Sequence, residues 1–213
     1  MIAFLISMLA AAAVPAAAEQ WTVDPSTGYF RVVLLKEGLL GGLGHDHVVE
    51  VRGARGSVEI GDSTGSVHLD IDAASADIDQ ASGRAEEGFK KDVEPGDRDK
   101  IRAGMRGPKG LDVARFPKIA FDSTVVERVE NLKGTWEVTG IFSLHGSTRA
   151  LEFPVILAER PGGYWAYGYA RIRPSEYGIK PFSVLGGLIR VSDEAVVRFN
   201  LGLRPLGALR SNR

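Results

Sequence analysis

The chain has 213 residues, with 26 Lys and Arg against 27 Asp and Glu, and no cysteine. A net charge of −1 removes any composition-based case for a nucleic-acid binder, which carries a basic excess to neutralise phosphates. The absence of cysteine excludes disulfides, thiolate-held zinc or iron–sulfur clusters, a thiol nucleophile and a lipoprotein anchor.

Residues 1–18 read as an export signal. They are uncharged and, apart from Ser7 and Pro15, wholly apolar, and Ala16-Ala17-Ala18 supplies a small-x-small cleavage pattern. Glu19 then begins the mature chain, and the expected compartment is the periplasm. The segment is short and alanine-rich for a membrane span, and no basic stop-transfer cluster follows it. An uncleaved anchor is the alternative. No Lys or Arg precedes the apolar run, so either the α-amino group serves alone or translation starts upstream. Nothing later in the chain is apolar enough to span a bilayer.

From there on, period-2 alternation dominates. Val67, Leu69, Ile71 and Ala73 fall on one face of a strand, with His68, Asp70 and Asp72 on the other, toward water. Trp136, Val138, Phe142 and Leu144 share a face, as do Leu151, Phe153, Val155 and Leu157, and then Ala195, Val197, Phe199 and Leu201. Further strands are expected over residues 30–35, 47–52, 57–60, 118–126 and 164–173. Short Gly- or Asn-containing turns, such as Pro161-Gly162-Gly163, separate several of them and argue for antiparallel hairpins. Residues 75–117 break the rhythm. Pro95 and Asp97 can open a helix, Ile101 and Met105 lie at i and i+4, and Gly107-Pro108 ends it. A shorter turn is possible at residues 85–91. The basic residues between Lys90 and Lys109 alternate with Asp92, Glu94, Asp97 and Asp99, as on a solvated face. The pattern predicts one all-β antiparallel domain over residues 19–213 with one helical insertion. About eight strands suffice to close a barrel; a two-sheet sandwich is the other architecture. Apolar inner faces suit either a filled core or a cavity.

Five passages in order then resemble the YceI family of lipocalin-like periplasmic proteins associated with polyisoprenoid binding. They are Trp21-Thr22-Val23-Asp24 with Tyr29-Phe30; Gly44-His45-Asp46-His47; Arg98-Asp99-Lys100-Ile101 with residues 111–121, which contain Phe116-Pro117; Gly140-Ile141-Phe142-Ser143-Leu144-His145-Gly146; and Arg173-Pro174-Ser175-Glu176-Tyr177-Gly178-Ile179. In the fourth, Phe142 and Ser143 replace the commonest Leu and Thr of the family. The resemblance covers residues 21–205. It implies a lipocalin-like barrel around a long apolar cavity, export, and binding of a long-chain isoprenoid or similar lipid.

Candidate cavity-lining residues are Phe30, Phe121, Trp136, Phe142, Leu144, Phe153, Ile172 and Phe199, which equally suit an ordinary core. His45 and His47, two apart on an extended chain, have metal-ligand spacing if His68, His145 or an Asp joins them. They equally suit contact with a ligand headgroup or a structural role in a glycine-rich loop. Arg173 has three readings: a headgroup cation, a partner of Asp46 in a mouth network, or a surface ion pair. There is no G-x-S-x-G, no H-E-x-x-H and no glycine-rich phosphate loop leading into a helix, and Asp70 and Asp72 lie on the water face of a plain amphipathic strand. The reading is a non-enzymatic lipid binder without cofactor. A metal carrier or metal-dependent enzyme using Gly44-His45-Asp46-His47 is the rival, and a filled barrel that binds a protein partner is a third. The oligomeric state stays open, a homodimer among the options.

Overall fold

The computed structural model describes residues 18–90 and 92–207; most of the proposed signal therefore lies outside the described residues. The strands are β1 (Glu19–Glu37), β2 (His47–Val51), β3 (Arg55–Ile60), β4 (Gly65–Asp72), β5 (Asp77–Ile78), β6 (Lys118–Arg128), β7 (Thr135–Leu144), β8 (Ser147–Arg160), β9 (Gly163–Ile172), β10 (Ser183–Val184) and β11 (Ile189–Pro205). Two helices, α1 (Ala81–Glu86) and α2 (Pro95–Arg106), lie between β5 and β6. The one helical insertion expected between residues 75 and 117 is there and holds both helices, the shorter beginning four residues before the turn expected at residues 85–91. A helix as short as α1 carries too little pattern to register as one.

Eight antiparallel strands close a barrel in the order β1-β3-β4-β6-β7-β8-β9-β11, with β11 returning to β1. Closure leaves no edge in the ring, which is how an antiparallel sheet escapes edge-to-edge aggregation. β1 is forked. One edge pairs with β11 along its length, whereas the other meets β3 at residues 19–22 and β2 at residues 30–34. β2 in turn pairs with β5.

Two strands change which parity faces inward. In β1 the register to β11 jumps between Val23 and Gly28, so Val23 and Phe30 both point to the interior despite opposite parity. Gly28 holds φ 84° at this bulge, and a Cβ there would collide with the Asn200 carbonyl. In β6 the shift between Ser123 and Val125 brings Phe121 and Val126 to the same side. The Ser123 hydroxyl accepts from the Val67 N–H (2.8 Å), satisfying a donor that the irregular ladder would otherwise leave without a partner.

α2 buries no residue fully, and arginines tie it to the barrel beside the apolar pair Ile101 and Met105. Arg102 Nε donates to Asp77 (2.5 Å), and Arg106 donates twice to the Ala76 carbonyl (2.8 and 2.6 Å). Part of the charged face expected to be merely solvated therefore docks the helix.

Candidate functional site

The strands enclose an apolar cavity of about 280 Å³. All eight predicted lining residues, Phe30, Phe121, Trp136, Phe142, Leu144, Phe153, Ile172 and Phe199, line it. Phe121, Phe153, Phe199 and Phe30 form a chain of rings, with successive centroids 5.2, 5.6 and 6.0 Å apart. Such spacings suit the edge-to-face and tilted contacts aromatic rings prefer. Room remains because β9 turns small residues inward: Ala166, Gly168 and Ala170. A Cβ at Gly168 would strike the Phe199 ring. Glu59, which is exposed, is the only charged residue among the described lining residues.

α2 and the turn after it supply Met105, Gly110 and Leu111 to the lining, contributions the strand pattern could not show. Their signal was the Ile101/Met105 pairing at helical spacing: Met105 reaches the cavity, while Ile101 packs on the core. Leu34, Pro174, Ile179 and Ala195 line the same end of the barrel from the other elements.

His45, His47 and Arg173 do not line the cavity. His47 opens β2 and places Nδ1 2.6 Å from Asp79 Oδ2. The Asp79 side chain is fully buried and also accepts from the Val48 N–H (3.0 Å) and Arg84 Nη1 (2.8 Å). Burial pushes its pKa up, but the hydrogen bonds from His47, Val48 and Arg84 outweigh this and hold it below the ordinary 3.8. An ionised Asp79 only accepts, so His47 Nδ1 is the donor in this contact. His45 is half-buried just outside β2. His68 pairs with Asp122 (2.6 Å) and Asp70 (3.5 Å) on the outer surface, and His145 Nδ1 donates to the Tyr177 carbonyl (3.0 Å). His47, His68 and His145 thus serve separate partners, and among the described residues no three His, Asp or Glu side chains are grouped to hold a metal ion. Asp46 pairs with Lys36 (3.0 Å), and among the described residues no ion pair joins it to Arg173. Arg173 is exposed and precedes the 3-10 turn Pro174–Tyr177.

Sequence reading missed a buried ionic layer between α1 and the outer face of β1 and β2. Arg31, 3% exposed, donates to Glu50 (2.9 Å) and Glu86 (2.8 Å). Glu50, equally buried, also binds Arg52 (2.7 Å). Burial disfavours the Arg31 cation, yet Glu86 and Glu50 raise its pKa above the ordinary arginine value. Arg84, on α1, ties Asp79 to the Asp46 carbonyl (2.6 Å). Gly83 lets α1 approach, because a Cβ there would meet the Glu50 carboxylate. A charged residue at an alternating position ordinarily reads as solvent-facing, so Arg31 and Glu50 gave no signal of burial.

No helix among the described residues is long and apolar enough to cross a membrane. The structure of BcnA from Burkholderia cenocepacia is similar, with a TM-score of 0.64 and 17% identity over 85% of this chain and 98% of that one. A YceI protein from Campylobacter jejuni aligns over 95% of this chain and 91% of its own at 10% identity, with a TM-score of 0.45. No curated protein matches the sequence. The model of the YceI-like domain matches residues 21–203, nearly the whole described barrel, and the chain belongs to the YceI-like family.

Proposed function

We propose that the chain binds a long-chain hydrophobic ligand, a polyisoprenoid or similar lipid, inside the barrel, and carries or sequesters it in the periplasm after export. One observation carries this reading: the interior is an apolar cavity lined from all eight ring strands rather than a filled core. Its volume, about 280 Å³, is nearly twice the ~150 Å³ of an engineered apolar cavity that stays dry and takes up benzene. Each methylene moved from water into such a space gains ~0.8 kcal/mol, so eight to ten of them supply roughly 6–8 kcal/mol before ordering costs. That suffices for binding without any catalytic group. Arg173, exposed one residue before the lining Pro174, is the cation we assign to the ligand's polar head.

Displacement of the fluorophore N-phenyl-1-naphthylamine by prenyl alcohols of increasing length tests the reading. Affinity is expected to rise with chain length until the cavity is full. Ala170→Phe, which fills the cavity from β9, is expected to abolish uptake while the barrel still folds. Arg173→Ala is expected to weaken a prenyl phosphate more than the matching alcohol. No uptake by the wild-type chain, or unchanged uptake in Ala170→Phe, overturns the proposal. Periplasmic fractionation with N-terminal sequencing tests export; a mature terminus at Glu19 is expected.

A further inference from the structure

Two turns that take no part in lining the cavity meet at one end of the barrel. The first joins β1 to β2 and reads Gly38-Leu39-Leu40-Gly41-Gly42-Leu43-Gly44. The second lies between β9 and β11 and reads Pro181-Phe182-Ser183-Val184-Leu185-Gly186-Gly187-Leu188. Each contains Leu-Gly-Gly-Leu, and each winds it into a short 3-10 turn, Gly41–Leu43 and Leu185–Gly187. The turns touch: the Leu40 N–H donates to the Leu188 carbonyl (2.9 Å). Neither holds a charged residue. Large apolar side chains nevertheless stand in water on both, with Leu39 90%, Leu43 73%, Phe182 66% and Leu185 64% exposed. Single exposed leucines are ordinary; a contiguous uncharged cluster of this kind marks a contact surface.

We propose that these paired turns insert into the surface of a lipid bilayer and dock the barrel on it. Three observations favour a bilayer over a protein partner. First, the backbone of the first turn is largely satisfied from within, and Leu188 adds one such bond in the second. The N–H groups of Leu40, Gly41, Leu43, Gly44 and Leu188 all donate within the two turns. A segment that leaves water must satisfy its own polar groups. A protein partner, by contrast, is recognised in part through hydrogen bonds to groups left available for it. Second, a collar of ions lies directly behind the tips. Lys36 pairs with Asp46 (3.0 Å), Arg190 pairs with Glu37 (3.3 Å), and Lys180 is exposed two residues before Phe182. Three cations against two carboxylates at headgroup depth complement an anionic lipid surface. Third, the cavity reaches this end. Leu34 lies five residues before Leu39, and Ile179 three before Phe182, and both line the cavity. The inference stands on the tips alone and does not require the ligand reading.

Flotation with vesicles of phosphatidylethanolamine and phosphatidylglycerol in equal parts, and with pure phosphatidylcholine vesicles, tests this proposal. Residues 19–213 are used so that the apolar N-terminal segment does not itself partition. The wild-type chain is expected to float with both, and better with the anionic vesicles. Leu43→Asp combined with Leu185→Asp is expected to lower partitioning at least tenfold. Both side chains are exposed, so thermal unfolding and N-phenyl-1-naphthylamine uptake should match the wild type. Failure of the wild type to float, or equal flotation of the double variant, overturns the proposal. So does a vesicle-independent dimer that the double variant loses while neither protein floats, which assigns the tips to a second copy. A chain that floats but takes up no probe overturns the cavity reading and leaves this one standing.

Discussion

Along β1, Phe30, Val32 and Leu34 face the cavity, while Arg31 between them is buried even more completely on the outer side, beneath α1. One wall therefore separates two interiors of opposite chemistry. Inside, attraction is non-directional and scales with area, so a side chain can shift and a guest can replace empty space. Outside, Arg31, Glu50, Asp79 and Arg84 each need particular partners at hydrogen-bonding distance, and a missing partner leaves a charge stranded. The cavity tolerates a change of contents, whereas the ionic layer fixes α1 in one register.

The largest expected effect comes from breaking the outer layer. Arg31→Ala takes from the buried Glu50 its buried partner and leaves it only the largely exposed Arg52, and a loss of about 3 kcal/mol in urea unfolding, the lower end for a broken buried pair, is expected. Replacing both partners, Arg31→Met with Glu50→Leu, should recover most of that loss; a double variant as unstable as the single one would refute the stranded-charge account. On the inner side, Phe153→Ala should cost about 2 kcal/mol, less than the ~3–5 kcal/mol typical of a fully packed Phe, because part of the ring faces a void. A full-sized loss would mean that the core is filled.

The acid limb sharpens the comparison further. Asp79 is held below its ordinary 3.8, so its contribution is fully present above that value and is lost as pH falls through the lowered one. Asp79→Asn should be less stable at neutral pH and should unfold with a shallower dependence below pH 4. Phe153 is uncharged, so Phe153→Ala should keep the wild-type acid slope. The smallest effect lies on the open surface. Hydrogen bonding to Asp122 raises the pKa of His68 above 6.5, with partial desolvation opposing it and the Asp122 and Asp70 charges assisting. Its contribution is present below 6.5 and fades as pH rises through the raised value. Asp122→Asn should lower the His68 midpoint in an NMR titration while changing stability by under ~1 kcal/mol.

How far the sequence speaks for the molecule follows from the same contrast. Alternation in β4, β7, β8 and β11 was enough to name the inward faces, because one buried side and one wet side leave a period of two. It could not reveal that β1 and β6 switch parity at bulges, since an extra residue has no signature until its partner strand is known. Nor could it separate Arg31 from a surface arginine: the burial is made by α1, fifty residues further on. The His45/His47 spacing was visible and suggested a ligand pair, but Asp79, 32 residues beyond His47, engages that ring. Short-range pattern thus located the cavity wall, and long-range pairing decided the roles of the polar residues.

The fork in β1 bears on how the interior is reached. The eight-strand ring closes without β2 and β5, which hang from the second half of β1. Yet Val49 and Val51 of β2 belong to the cavity wall. To move away with α1, this flap would have to give up its rungs to β1 and the Arg31 ion pairs to Glu50 and Glu86, while the ring would keep its closure. The ionic layer is therefore the latch on the one part of the wall that the ring does not hold, and Arg31→Ala should lower amide protection in β2 ahead of that in the ring strands.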